Sequence, residues 1–372
     1  MFRYLTAGES HGKGLVGILE GLPSGLKIDV DYINEQLLRR KQGFGRGLRM
    51  KIESDTVDIV SGIRKGETIG SPIAVYIENK DYKIDELHSV TCPRPGHADL
   101  AGFLKYDAKD IRSILERASA RETATRTALG AIAKLFLKEF GIEIGSHVVE
   151  LGGVSVDTEG MKFQDIFLKA EKSPVRCISK YAEAKMISRI KKAIKNKDTM
   201  GGTFEVISVG LPVGLGSYIQ WDNRLDARLA KAVMSIQGVK GVDIGMGFRM
   251  KGLFGSEIHD AIFHKKDIGF YRKTNRCGGV EGGMTNGEPL VVRGFMKPIA
   301  TLSNPLSSVD VFTKKTALAA IERSDVCVVP STGVVAEAAV ALELAGVFTE
   351  KFGSDSLRDI RIAYRNYTKR IK

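Results

Sequence analysis

Cysteine is scarce in this chain and poorly placed for a cross-linked or metal-held scaffold. The 372 residues include four, Cys92, Cys177, Cys277 and Cys327, widely spaced and without a C-x-x-C pair. Such spacing supports neither a disulfide framework nor a zinc site, and no metal site is expected. A reducing cytoplasm suits these thiols best. No run of eighteen consecutive apolar residues occurs, so no membrane span is expected. The opening segment Met1-Phe2-Arg3-Tyr4-Leu5-Thr6 reads as the start of a strand and lacks the apolar core and small-residue cleavage site of a secretory leader. Proline- or serine-rich linkers, low-complexity tracts and short repeats are also missing. No domain boundary stands out, and residues 1–372 are expected to form one domain.

What is present is positive charge, +12 at neutral pH. An excess of this size points to a polyanionic partner, either nucleic acid or a phosphorylated metabolite or cofactor. Lysines are scattered over expected helix surfaces, as in the stretch Lys191 to Lys197, and read as solvated faces. Many arginines instead sit beside glycines and histidines in loop-like segments. That distribution favours a pocket.

Short strand-like runs recur at Thr56–Val60, Ile73–Ile77, Val148–Leu151 and Phe204–Val209. The spacing of Ala128, Leu129, Ile132, Ala133 and Phe136 predicts a helix from about Ser119 to Phe140, and an alanine-rich pattern predicts another from about Gly333 to Phe352. Strands and helices do not alternate strictly, so the class is α+β rather than a doubly wound parallel sheet. The 41 glycines cluster without forming G-x-G-x-x-G or a P-loop.

Five segments look chemical. Gly8-Glu9-Ser10-His11-Gly12 places a histidine between glycines, suited to proton transfer beside a closely approaching ligand. Adjacent side chains of a strand face opposite ways, so Ser10 and His11 do not suggest a nucleophile–base pair. Arg94-Pro95-Gly96-His97-Ala98-Asp99 sets a second histidine in a turn, with Asp99 either orienting the imidazole or capping the next helix. The stretch Arg39 to Arg49 packs five cations and three glycines into eleven residues, either arginine forks for carboxylate and phosphate or a nucleic-acid-binding loop or solvated charge run, with Phe44 the sole aromatic among them. Ser119 and Glu122 form an S-x-x-E pattern, which predicts a helix N-terminus and, with Arg117 and Arg121, a phosphate site. Arg323-Ser324-Asp325 spaces a cation and an acid so that both face one way in extended chain. His88, His147, His259 and His264 read as structural or surface residues.

These segments together resemble the chorismate synthase family of bacterial and archaeal type. The matching pieces are GESHG at Gly8–Gly12, RRKQGFGRG at Arg39–Gly47, RPGHADL at Arg94–Leu100, RASARET at Arg117–Thr123, VKGVDIGMGF at Val239–Phe248, GGVEGGMTNGEP at Gly278–Pro289 and RSDVCVVP at Arg323–Pro330. The resemblance implies conversion of 5-enolpyruvylshikimate 3-phosphate to chorismate, the last step of the shikimate pathway, by anti-1,4 elimination of phosphate. It implies dependence on reduced FMN, with NADPH one candidate reductant. It also implies a single-domain β-α-β sandwich, helices layered between antiparallel sheets, in a cytoplasmic homotetramer that binds no nucleic acid or membrane.

By the same resemblance His11 protonates the departing phosphate, His97 protonates or hydrogen-bonds to the reduced flavin, and Asp325 assists removal of the C6 proton. Flavin contacts carry over to Arg117, Ala118, Ser119, Gln237, Gly238, Gly282, Lys297, Pro298, Ile299, Ala300, Thr301 and Arg323. Ser10, Arg40, Arg46 and Arg49 match positions that touch substrate or NADPH. Ala300, Gly238 and Cys277 depart from the commoner residues of the pattern. A basic nucleic-acid-binding protein accounts for the charge but not for the two loop histidines, and a flavoprotein oxidoreductase would show net oxidation of its substrate.

Overall fold

The computed structural model describes residues 2–47, 52–158, 160–266 and 268–371. The first sheet is written by alternation of buried and outward positions. It contains β1 (Arg3–Ala7), β2 (Gly14–Glu20), β3 (Asp58–Ile59) and β4 (Ile73–Glu78), all antiparallel, in the order β1-β2-β4-β3. Leu15 and Leu19 on β2, and Ile73, Val75 and Ile77 on β4, point inward and are buried. Leu5 lies opposite Ile18 on the outward face, and both are exposed.

Helices α1 (Val30–Lys41), α2 (Asp99–Lys105), α3 (Ile111–Ala118) and α4 (Thr123–Lys138) fill the stretch up to the second sheet. That sheet contains β5 (Glu143–Leu151), β6 (Val154–Ser155), β7 (Gly202–Val209), β8 (Val239–Ile244) and β9 (Leu290–Met296), antiparallel in the order β8-β9-β7-β5-β6. Between and after its strands come α5 (Phe163–Glu171), α6 (Lys180–Lys195), α7 (Leu225–Met234), α8 (Val329–Phe352) and α9 (Leu357–Arg370). Lys191, Lys192 and Lys195 on α6 are exposed, as the charge pattern suggested.

Helix α4 lies against β2 and β4, and α8 lies against α4, β5 and β7. The two helices approach closely because Gly130 on α4 offers only hydrogen to Ala338 on α8, where any Cβ would collide. One buried apolar cluster runs from Leu15 to Ile360. Among the described residues α8 alone is long and apolar enough to cross a membrane, and 94% of its most apolar window is buried in the protein. Sequence reading placed its start near Gly333. It starts at Val329 because Pro330 falls in the first turn, where a missing N–H costs nothing.

Glu337 is the one fully buried charge on α8. It accepts from Arg39 of α1 at 2.8 and 2.9 Å, from Ser146 of β5 at 2.5 Å, from Arg176 at 3.4 Å and from Lys134 of α4. Burial pushes the Glu337 carboxyl up, but these cations outweigh it and hold the group well below the usual carboxylate range. Burial lowers Lys134 to about 8.

Candidate active site

The loop joining β1 to β2 carries His11. Gly8 turns there with φ +108°, and a side chain at that position would strike the carbonyl of Gly14. Asn79 fastens the loop from below, donating to the carbonyls of Glu9 at 3.1 Å and Gly12 at 2.8 Å. Glu116, near the end of α3, fastens it from the side. Its carboxylate accepts the His11 backbone N–H at 2.7 Å and lies 3.0 Å from ring Nδ1, and its carbonyl accepts from the buried Ser10 N–H at 3.0 Å. Burial raises the Glu116 carboxyl, but the hydrogen bonds from His11 outweigh it and leave it below its ordinary value.

The other ring nitrogen, Nε2, faces Asp81 Oδ2 at 3.7 Å. Asp81 also accepts from Lys83 Nζ at 2.5 Å and Arg323 Nη2 at 2.9 Å. Two residues beyond Arg323, Asp325 accepts the Gly47 N–H at 2.5 Å and pairs with Arg46 at 3.3 Å. Arg46 donates to Ser331 at 2.7 Å. The Gly45 carbonyl accepts the Val326 N–H at 2.9 Å, so the arginine–glycine loop and the Arg323–Asp325 segment are laced together.

Arg40 turns inward and is buried. Its three nitrogens meet Thr123 Oγ1 at 3.0 Å, Asp55 at 3.4 Å and the Ala120 carbonyl at 3.0 Å. Burial, with help from Arg121 and Arg46 and against the pull of Asp55, lowers it to about 10, still cationic at neutral pH. Arg49 lies outside the described residues.

The second histidine has its own buried acid. Asp99 Oδ1 is 2.5 Å from His97 Nδ1, and the same carboxylate accepts from Arg94 Nε at 2.8 Å and from the Arg94 N–H at 3.0 Å. Asp99 therefore orients the imidazole, the first of the two roles considered for it. Burial raises its carboxyl, but the bonds from His97 and Arg94 outweigh that and hold it far below the ordinary range. Arg94 donates on to Thr301 at 2.7 Å, and Ala300 packs by Gly96. Lys297 ties this turn to the next group, donating its Nζ to the Gly96 carbonyl and its backbone N–H to the Gly238 carbonyl, both at 2.9 Å. Pro298 lies against Gly201, and the Ile299 carbonyl accepts from Thr199 at 2.7 Å.

Gln237 donates to Glu122 at 2.8 Å, and Glu122 also accepts from Thr6 at 3.3 Å. Arg117 donates to the Thr6 and Gly8 carbonyls, each at 2.9 Å, which returns the chain of contacts to the His11 loop. Gln237 Oε1 is buried with no partner among the described residues.

The expected helix start at Ser119 is corrected by this geometry. Arg117 and Ala118 end α3, the Ser119 hydroxyl accepts from the Arg121 N–H of a single 3₁₀ turn, and α4 begins only at Thr123. Glu122 is drawn to Gln237, Thr6 and Arg126 instead of closing a capping box. Arg121 is also corrected. It is buried on Asp55 at 2.5 Å and Asn79 at 2.9 Å and offers nothing to a phosphate. Gly282 sits in the turn between Val280–Glu281 and Met284–Thr285, and no hydrogen bond or ion pair among the described residues ties it to either histidine group.

Sequence reading missed Glu116, Asp81 and Lys83 altogether. Glu116 lies 105 positions from its histidine, and no spacing rule reaches that far. Away from both histidines, Asp260, Cys277 and Glu281 bring three potential ligand atoms within 4.8 Å of one another. Asp260 is already taken up by Thr274, Arg276 and Cys277, and burial, reinforced by Asp260, raises the Cys277 thiol to about 12.

The family model for chorismate synthase matches residues 2–349. A chorismate synthase of Brevibacillus brevis is 52% identical, with 98% of each chain covered. One from Carboxydothermus hydrogenoformans is 51% identical over 100% of this chain and 99% of its own. A crystal structure of chorismate synthase superposes with a TM-score of 0.84 at 41% identity, covering 100% of this chain and 98% of the other. The chain belongs to the chorismate synthase family, lyases of the shikimate pathway that depend on reduced flavin.

Proposed function

We propose that His11, Asp325 and His97 divide the work of eliminating phosphate from 5-enolpyruvylshikimate 3-phosphate. The observation that carries this reading is the placement of His11. Its Nδ1 is held by buried Glu116, and its Nε2 faces a spot where Arg323 and Lys83 also converge. A proton held at Nε2 is there positioned for the oxygen of a departing phosphate. Asp325, fixed by Gly47 and Arg46, assists removal of the C6 hydrogen. Arg46 faces the substrate's anionic groups, while Arg40 braces the loop from behind.

The residues fit a flavin on one specific ground. Gln237 Oε1 is a buried acceptor with no donor among the described residues, next in the chain to Gly238, which Lys297 ties to the His97 turn. Arg117, Ser119, Gln237, Gly238 and Lys297 would hold reduced FMN there, and it would supply the electron density that an elimination from a poorly acidic C6 position needs. His97, oriented by Asp99, holds a proton or hydrogen bond toward that group.

The whole chain, 1–372, is read as one domain of β-α-β sandwich type, supported by the large apolar cluster that spans Leu15 to Ile360 and by α4 lying against the first sheet and α8 against the second. A cytoplasmic homotetramer is the matching assembly, and the exposed apolar pair Leu5 and Ile18 gives such an assembly something to cover. The deciding experiment is anaerobic. Protein, dithionite-reduced FMN and the phosphorylated substrate should yield phosphate and chorismate in equal amounts. No product from folded, flavin-bound protein overturns the reading. Repeating it with oxidised FMN and NADPH identifies the reductant.

A further inference from the structure

Asp81 makes contacts that are unusual for a partly open carboxylate. Three side chains capable of carrying positive charge converge on it, namely His11 Nε2 at 3.7 Å, Lys83 Nζ at 2.5 Å and Arg323 Nη2 at 2.9 Å. Arg323 and Lys83 bring two fixed positive charges against one negative charge. The segment is docked rather than loose, since the backbone N–H groups of Lys83 and Ile84 both donate to the His11 carbonyl at 3.1 Å. The cluster is also accessible. The Arg323 side chain is 56% exposed and that of Lys83 30% exposed, whereas Asp81 and His11 lie at the floor. A tetrahedral dianion matches this donor set better than a carboxylate does, in charge and in number of acceptor oxygens.

We propose that Asp81 is an internal stand-in for the substrate's phosphate, and that Lys83 is a phosphate-binding residue alongside His11 and Arg323. The arriving phosphate displaces the Asp81 carboxylate, takes over the hydrogen bonds from Arg323 and Lys83, and gains one from His11 Nε2, which Asp81 approaches only to 3.7 Å. Ligands without a dianionic group leave Asp81 in place. Asp81 thus sets specificity by a competition that only a phosphate wins. This inference rests on the phosphate-eliminating reading of the site and adds two residues to it.

The test uses inorganic phosphate and the full-length protein, by titration calorimetry and by the ¹⁵N resonance of the His11 ring. In the unaltered protein phosphate should shift His11 Nε2, and acetate should not. Asp81→Asn removes the competing charge and should bind phosphate at least about fivefold more tightly, whereas Lys83→Gln should bind it about tenfold more weakly. Weaker or unchanged phosphate binding by Asp81→Asn would show that Asp81 merely orients His11 and would overturn the proposal. So would an unaffected Lys83→Gln, or a His11 ring that phosphate leaves unmoved. Lys83 is exposed enough that its variant still decides the matter should Asp81→Asn fold poorly. Protein that forms chorismate while giving those negative results loses this inference alone. Protein that forms none loses the reading on which it rests.

Discussion

Two carboxylates in this molecule each gather three basic side chains, and they serve opposite ends. Glu337 draws Arg39, Lys134 and Arg176 together in the middle of the helix layer, with none of its side chain exposed. Asp81 draws His11, Lys83 and Arg323 together at the mouth of the loop cluster, with 11% of its side chain exposed. Each set has three donors, two of them fixed cations at Asp81 and three at Glu337, and the larger difference is burial. A sealed knot cannot exchange its anion and can only fasten elements. An open one can trade its carboxylate for a ligand.

That contrast can be broken most sharply at the histidine. His11→Ala should slow turnover by roughly 10²–10⁴-fold, read as phosphate release in the anaerobic assay, while the thermal midpoint stays nearly unchanged. A similar loss of stability would make the open cluster structural after all. Next comes Glu337→Ala, which leaves buried Lys134 without a carboxylate while Arg39 and Arg176 keep Glu171, and should cost about 3–5 kcal/mol in urea unfolding, with the remaining folded protein still turning over. Acid should sharpen the comparison further. Glu337 and Asp99 both have folded pKa values below their unfolded ones, so each contributes stability that is complete above the ordinary carboxylate range and lost as pH falls through the folded value. The melting temperature should hold between pH 7 and pH 5 and drop below about pH 4, and Asp99→Asn should make that drop shallower. The smallest effect is expected for Asp81→Asn, whose change in stability should stay within about 1 kcal/mol because solvent already screens the cluster.

Much of the frame was legible because it is periodic. The strands at Ile73–Glu78 and Gly202–Val209 and the bodies of α4 and α8 fall on the expected apolar runs, with the helix starts displaced to Thr123 and Val329. The Ser119 cap was not, because the local pattern competed with partners far along the chain, and Gln237 and Thr6 won Glu122. Arg121 failed for the same reason, since Asp55 and Asn79 are brought to it only by the fold. At the site, the loop histidines and Asp325 were visible from composition and neighbours. Their acids were only half visible. Asp99 sits two residues from His97 and could be suspected, whereas Glu116 meets His11 only through the packing of α3 beside the first loop.

Helix α8 carries one more consequence. It is as apolar as a bilayer-spanning segment, and it follows every strand of both sheets in the chain. While the ribosome is still making it, the second sheet lacks the helix that will cover it, and the helix itself has no shelter until α4, β5 and β7 close around it. Native pairing here is dominated by partners distant in sequence, which slows closure and lengthens the time that greasy surface faces water. The greasy surface of the newborn chain is therefore most open to aggregation in the interval between synthesis of residue 352 and the shutting of the core.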